Sequence, residues 1–230
     1  MLNVIYKPAT LERMAQSREH KAQTRERILS EASGRLRTDG VAGVSIAQLM
    51  TAAGLTHGGF YRHFESREDL IAQATARALV DGAAAGARAR AGHGPTLAAY
   101  VKGYLSRSHR DAPGNGCAIA ALAADVPHAG APTSAVFTQG LKAALDRLAA
   151  QFDTSGSAAA SEKISQTEGV AKASESAHEQ AMVLLSTMVG ALVLARAVDD
   201  ANLSDQLLAA SRTRLMAQVS PTPSDSETSR

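Results

Sequence analysis

A chain of 230 residues in which hydrophobic types make up 45% can bury a genuine core, which excludes a wholly disordered protein. Aromatic residues are only 3% and Trp is absent, while alanine abounds; alanine costs no side-chain entropy in a helix and gives a strand little to pack, so an all-α protein is expected. The formal net charge of +2 neither announces nor excludes nucleic acid, because docking on phosphate needs only a local basic surface, and the single Cys117 rules out an intrachain disulfide framework or a multi-cysteine zinc site.

Residues 1–20 read as a polar arm, helical from Leu11, with no apolar stretch of signal-peptide length. From Lys21 to Thr38 the residues Ile28, Leu29, Ala32 and Leu36 recur at helical spacing, and Asp39-Gly40 ends the run. Ser45 with Gln48 makes a capping box: the Ser hydroxyl accepts from the Gln48 N–H and the Gln side chain reaches back. Ile46, Leu49 and Met50 give the buried face of that helix, and Gly54 closes it, since a left-handed position costs glycine nothing. Thr56 is expected to cap a short helix to about His63, and Ser66 with Asp69 to cap a long one from Arg67 to about Arg90.

Gly92-His93-Gly94-Pro95 interrupts the helices, which resume over Thr96 to Ser108 and break again at Asp111-Ala112-Pro113-Gly114. Over 71–110, Arg77, Arg88, Arg90, Lys102, Arg107 and Arg110 face only Asp81. A short helix follows from Asn115 to about Asp125, then an amphipathic one from Pro132 to about Phe152. Residues 154–176 are small and polar and read as a flexible insertion. An apolar helix over Ala177 to Val198 and a shorter one over Leu203 to Val219 complete the fold, and a Pro- and Ser-rich tail over 220–230 is expected to be disordered. The uncharged run Ala181 to Ala195 is shorter than the roughly 18–20 residues of a bilayer span, so an interface helix, with no membrane partner, is expected.

Two short helices joined by a tight glycine turn make a helix-turn-helix, whose second helix enters the major groove. A bare start at Thr56-His57-Gly58-Gly59 lets backbone N–H groups approach phosphate or a base edge, and Tyr61 and His63 add donors beside it. Residues 21–70, with Ile28-Leu29, Ala32, Gly40, Ser45-Ile46, Ala53-Gly54-Leu55 and above all Gly-Phe-Tyr-Arg-His-Phe at 59–64 followed by Ser-Arg-Glu-Asp-Leu, closely resemble the DNA-binding domain of TetR/AcrR-family regulators.

That resemblance implies a three-helix DNA-binding domain over 21–68 and a helical effector-binding and dimerisation domain over 69–219, working as a homodimer on a palindromic double-stranded operator in the cytoplasm. It implies phosphate contacts from Thr56, Tyr61 and Arg67, base-edge or backbone contacts from His57, Gly58 and His63, and a phosphate contact from Thr24 or Arg25; Ser45 and Arg62 join the DNA-facing set. Arg67 suits that role for a further reason, because a cation at a helix N-terminus opposes the helix dipole and asks for another partner.

Beyond residue 70 the resemblance is thin. Gly116-Cys117-Ala118-Ile119 fits a pattern found in one branch of these regulators, and a thiol in a first helical turn is favoured as thiolate, so Cys117 is a candidate sensor of oxidants or electrophiles. Tyr100, Tyr104, His109, Phe137 and Met188 are further candidates to line an effector pocket, and Leu184, Leu185, Met188, Leu192, Leu207 and Leu208 to form the dimer interface. No pattern asks for a cofactor or metal. The chain is expected to be a repressor released by a small effector and not an enzyme. The alternatives are a DNA binder without an effector and an enzyme using Cys117, for which His109 and His128 lie near in sequence without a recognisable motif.

Overall fold

The computed structural model of the protein describes residues 9–90, 94, 96–157 and 167–219, all of them in helices, turns and connecting segments with no strand among them. Among the described residues nine α-helices follow in order: α1 Ala9–Asp39, α2 Ile46–Ala52, α3 Arg67–Arg90, α4 Leu97–Tyr104, α5 Arg107–Asp111, α6 Ala118–Leu122, α7 Ala131–Ser157, α8 Thr167–Ala197 and α9 Ala201–Val219. Short 3-10 turns occupy His57–Arg62, Pro113–Asn115 and Val126–His128. The all-α expectation holds.

Two apolar cores organise these helices. The first joins Ile28, Leu29, Ala32 and Leu36 of α1 to Leu49 and Met50 of α2, to Phe60 and Phe64, to the first half of α3 and to Leu122 and Val126. The second joins α4, α7, α8 and α9 through Val101, Leu105, Leu148, Leu184, Met188, Leu192 and Leu215. Leu79 of α3 and Phe137 of α7 pack against both, so α3 and α7 form the seam where one core passes into the other.

The local signals explain most boundaries. Ser45 caps α2, its Oγ accepting from Gln48 N–H at 3.5 Å, and Gly54 after it takes φ +70. Ser66 Oγ accepts from the Asp69 N–H at 3.1 Å, while the Asp69 carboxylate accepts from the Glu65 N–H at 3.1 Å. The capping box at α2 is only half made, because Gln48 Oε1 instead accepts from Arg35 Nη1 at 2.8 Å.

Other expectations need correction. The stretch expected as one helix over 96–108 is two, since the Ser106 hydroxyl accepts from the His109 N–H at 3.2 Å and starts α5. Of the insertion expected over 154–176, the described residues 154–157 and 167–176 are helical, because α7 continues to Ser157 and α8 begins at Thr167; small polar residues do not prevent a helix that larger neighbours anchor. Residues 158–166 and the tail 220–230 lie outside the described residues, as does much of the polar arm, although α1 begins at Ala9. The apolar run of α8 belongs to a stretch, Glu175–Ala197, that by length and composition is long and apolar enough to cross a bilayer, so shortness does not argue against a span. One side of it, with Leu184, Leu185, Met188 and Leu192, packs into the second core.

Candidate nucleic-acid interface and internal cavity

The turn between α2 and α3 presents one continuous edge to solvent. Thr56, His57, Gly58 and Arg62 are exposed and Tyr61 is 69% exposed, while Phe60 and Phe64 of the same segment are buried and stacked with centroids 5.5 Å apart. The segment winds as a 3-10 helix rather than an α-helix, so His57 and Phe60 fall on successive turns. Thr56 stands at its start but makes no side-chain cap; its carbonyl, not its hydroxyl, accepts from the Gly59 N–H at 2.9 Å. The Thr56 hydroxyl therefore stays available on the exposed edge. Tyr61 leans edge-on against Phe60 at 5.2 Å, which fixes its ring while its hydroxyl points outward from an exposed side chain.

Four of the DNA-facing candidates are placed otherwise. Thr24 is 2% exposed, on the buried face of α1, and cannot reach a phosphate without α1 moving. Arg25 is a strut: its Nε donates to the His63 carbonyl at 3.3 Å, Nη2 bonds Gln73, and the guanidinium lies 5.1 Å above the Phe64 ring. Ser45 is half-buried and its hydroxyl is used in capping α2. Arg67 donates through Nη2 to the Val41 carbonyl at 2.8 Å and more weakly to that of Val44 at 3.4 Å. The cation that sits badly at its own helix N-terminus is thus explained by carbonyls of the α1–α2 loop, with no phosphate required.

His63 is half-buried beside this edge, with Nδ1 buried and lacking a hydrogen-bond partner. Burial pulls its pKa below the ordinary 6.5, and the nearby charges of Lys21, Arg25 and Arg62 push the same way. Lys21 was not among the expected residues. It lies exposed one turn before Arg25, and that i, i+4 spacing along α1 is the signal that would have placed it by the same edge.

The second feature is a cavity of about 360 Å³ between α3, α4, α7 and the α5–α6 segment. Of the expected residues it brings together Tyr100, Tyr104, His109 and Cys117. Phe137 and Met188 do not line it: Phe137 sits at the seam of the two cores and Met188 is fully buried in the second. Sequence reading missed Arg147 and Gln151, which project from the same face of α7 as Gly140, Ala144 and Leu148. That stripe of period three and four was readable, but its small residues resemble an ordinary packing face.

Cavity chemistry centres on His109 and Tyr104. His109 Nδ1 donates to the Tyr104 carbonyl at 2.7 Å and its Nε2 accepts from the Cys117 N–H at 3.0 Å, which fixes the tautomer. Burial lowers its pKa, and Arg196 adds to that, against the opposing pull of the Tyr104 carbonyl. The ring meets Tyr104 edge-on at 4.7 Å. The Tyr104 hydroxyl is buried without a hydrogen bond of ordinary length, although Cys117 is a polar neighbour, and burial raises its pKa well above 10. Cys117 is half-buried and stands at the cap of α6, one position before the first turn in which it was expected.

The two features are mechanically joined. Arg37 of α1, buried, donates through Nε to the Gly114 carbonyl at 2.6 Å and through Nη1 to the Ala78 carbonyl of α3 at 3.2 Å. The Asp125 carboxylate accepts from the Val41 N–H at 2.7 Å. Gly82 of α3 passes so close to the cavity wall that a Cβ there would stand 2.9 Å from the Gly116 carbonyl.

The residues expected at a dimer interface point the other way. Leu184, Leu185, Met188, Leu192 and Leu208 are buried in the chain's own core and Leu207 packs against it, because a helix apolar all round must give one side to its neighbours. The face left open carries Met182, Val183, Val193 and Leu194 of α8 and Leu203 of α9, all at least 41% exposed. Gly190 lies among them with nothing within 4 Å of a built Cβ.

Residues 28–74 match the family model of bacterial regulatory proteins of the tetR family. Among solved structures, the chain is similar to a TetR-family transcriptional regulator from Agrobacterium tumefaciens, at 20% identity and TM-score 0.66, with 87% of this chain and 100% of that one covered. It is similar to a TetR transcriptional regulator from Chloroflexus aurantiacus, at 25% identity and TM-score 0.67, covering 87% and 96%. It is also similar to E. coli NemR in its reduced form, at 20% identity and TM-score 0.64, covering 88% and 99%. No match is found among curated proteins.

Proposed function

We propose that this chain, a DNA-binding regulator of the TetR family, is a homodimeric cytoplasmic repressor that leaves a palindromic operator when a small molecule fills its internal cavity. The exposed edge Thr56–Arg62 enters the major groove, with the Thr56 and Tyr61 hydroxyls on phosphate and His57 and Gly58 nearest the bases. With glycines at 58 and 59 few side chains reach base edges, so DNA shape and backbone contacts supply much of the selectivity. Arg62 and Lys21 add positive charge beside the groove, and His63 follows the phosphate backbone.

One observation carries the reading: α1 of the DNA-binding domain grips the segment that forms one wall of the cavity, between its wall residues Ala112 and Asn115. Gly114 lies two residues before Gly116 in the cavity wall, and Arg37 binds its carbonyl from α1. A ligand that shifts this wall shifts α1 and α3, and with them the spacing of the two heads of a dimer. The open face of α8 and α9, with Val183, Gly190 and Leu194, is where the second copy packs. An enzyme built on Cys117 is disfavoured, since the His109 lone pair that would take the thiol proton is held by the Cys117 backbone N–H.

Selection of binding sites from random duplex DNA tests the reading. An enriched palindrome, bound by wild type and lost in a monomeric Leu194→Glu variant, is expected; binding without sequence preference would remove the repressor and leave a general DNA binder. A second reading of the effector rests on Cys117 lining the cavity: alkylation of its thiol by an electrophile displaces the same wall. If Cys117→Ser is released from operator by an electrophile as readily as wild type, that route is gone.

A further inference from the structure

The cavity's polar groups are arranged unevenly, and the arrangement bears on what fills it. Its walls are apolar on α3 and α7, with Leu79, Ala83, Ala144 and Leu148. No Asp or Glu lines it among the described residues, and Arg147 is its one side chain of fixed charge. His109 brings no charge and no free nitrogen, because both ring atoms are already bonded and burial keeps it neutral. A cation would therefore enter an apolar site with no counter-charge to offset its lost hydration.

At the α5–α6 end the balance is the reverse. Tyr104 is 6% exposed and borders the cavity, and its hydroxyl has no oxygen or nitrogen partner, only the weakly accepting Cys117 sulfur beside it. Burial holds its proton firmly, so it is a donor at any physiological pH. Asn115 borders the same end. Immediately behind the wall lies Arg196 of α8, close enough that a Cβ on Gly116 would stand 3.1 Å from its Nη2. Among the described residues its guanidinium donates only to the carbonyls of His109 at 2.7 Å and Arg110 at 3.1 Å, with no carboxylate at ion-pair distance. The one carboxylate whose field reaches it, Asp111, is exposed and paired with Arg110. A half-buried cation without a carboxylate partner, beneath a buried hydroxyl with only a weak sulfur acceptor, makes a site for negative charge.

Resting on the reading of this cavity as the effector site, we propose that the effector is an apolar organic acid bound as its anion. Its ring or chain lies against Leu79, Ala144 and Leu148, and its carboxylate accepts from the Tyr104 hydroxyl above Arg196. Arg147 at the α7 side adds a second positive field over the mouth. A volume of about 360 Å³ suits a bicyclic arene or a comparable aliphatic acid and is at the small end for ligand pockets.

The test uses the full chain and three probes of one shape: 2-naphthoate, the neutral 2-naphthamide and the cationic 2-naphthylmethylammonium, each titrated by calorimetry and each assayed for release of the selected operator. The carboxylate is expected to bind roughly tenfold or more tighter than the amide, the ammonium weakest, with release following the same order. Tyr104→Phe should lower the preference for acid over amide by roughly tenfold while leaving the melting temperature unchanged or higher, since the hydroxyl gives up no more than a weak contact with the Cys117 sulfur in the free protein. Equal binding of acid and amide, tightest binding of the ammonium, or a Tyr104→Phe protein that melts lower with its preference intact would each overturn the proposal. Should all three probes bind alike and release operator, the effector reading survives and the acid does not. If naphthoate binds with the expected preference and operator stays bound, the acid site stands and the effector reading falls. A preference abolished by Arg147→Gln and untouched by Tyr104→Phe would put the carboxylate at the mouth and overturn its placement above Arg196.

Discussion

Around Phe60 the DNA-binding end of the chain is filled by large side chains locked on all sides, whereas around Tyr104 the body leaves space and an unspent hydroxyl. The first core closes on Ile28, Leu36, Met50, Phe60 and Leu70, each essentially without exposure, and at its periphery Arg25, Arg67 and Asp125 each serve a backbone group of another segment. In the body, alanines and glycines of α3 and α7 face one another across the cavity. The contrast teaches a division of labour. On the proposed reading, rigidity at one end preserves the geometry that meets DNA, and the vacancy at the other gives an effector something to change.

Truncation is the strongest way to break this comparison. Phe60→Ala removes a ring packed on Phe64 and Met50 in a core with no room to collapse, and should cost about 3–5 kcal/mol in denaturant unfolding. Leu148→Ala, whose side chain already borders open space, should fall at the low end of the series, about 2 kcal/mol. Equal costs at the two sites would mean that the cavity is closed in solution.

Next comes the joint between the regions. Arg37→Ala leaves the carbonyls of Gly114 and Ala78 without their donor and removes a charge beside Asp81, at a cost of about 2 kcal/mol. Ser33 and Arg77 still hold the Asp81 carboxylate, so the chain should fold. The expected phenotype is a protein that binds operator and ligand but couples them less, read as a smaller shift in operator affinity at saturating ligand. Undiminished coupling would show that Gly82 and the Asp125–Val41 bond suffice.

How much of this was legible differed between the two regions for a physical reason. The DNA-binding end is written in local signals: a cap at Ser45, a positive-φ glycine at 54, and the paired rings of Phe60 and Phe64, all within a few residues of one another. What sequence could not show there is long-range. Arg25, Arg67 and Thr24 read as DNA contacts until their partners at His63, Val41 and the interior of α1 were in place. In the body, Tyr104, His109 and Cys117 were legible as polar groups in apolar surroundings, yet Arg147 and Arg196 were not, because their meaning depends on which helix lies opposite. The same limit inverted the dimer face: periodicity marks α8 as apolar on every side but does not say which side its own chain covers.

A finer test separates stability from recognition. Tyr61→Phe should leave unfolding unchanged, since the side chain is 69% exposed and its ring contact to Phe60 is kept. If the hydroxyl meets phosphate, operator affinity should drop by about 1 kcal/mol. Loss of stability would instead make Tyr61 part of the core.

The smallest effect compares two histidines, one in each region. His63 and His109 both ionise below the ordinary 6.5, burial being the first cause in each. The unfolded chain takes up its protons near 6.5 and the folded chain resists until lower pH, so stability is complete above that value, declines as pH falls through it, and stops declining once the folded imidazoles are themselves protonated. In the body a proton on His109 Nε2 must face the Cys117 N–H that it now accepts from, so His109→Gln should flatten part of the decline in melting temperature between about pH 7.5 and about pH 5.5. In the DNA-binding domain the sign can reverse, because a phosphate beside His63 favours the imidazolium that Lys21, Arg25 and Arg62 disfavour in the free chain. Acid should accordingly weaken the free protein more than its operator complex, and melting both across that range decides it. A complex that loses stability as steeply as the free chain would place His63 away from the phosphates.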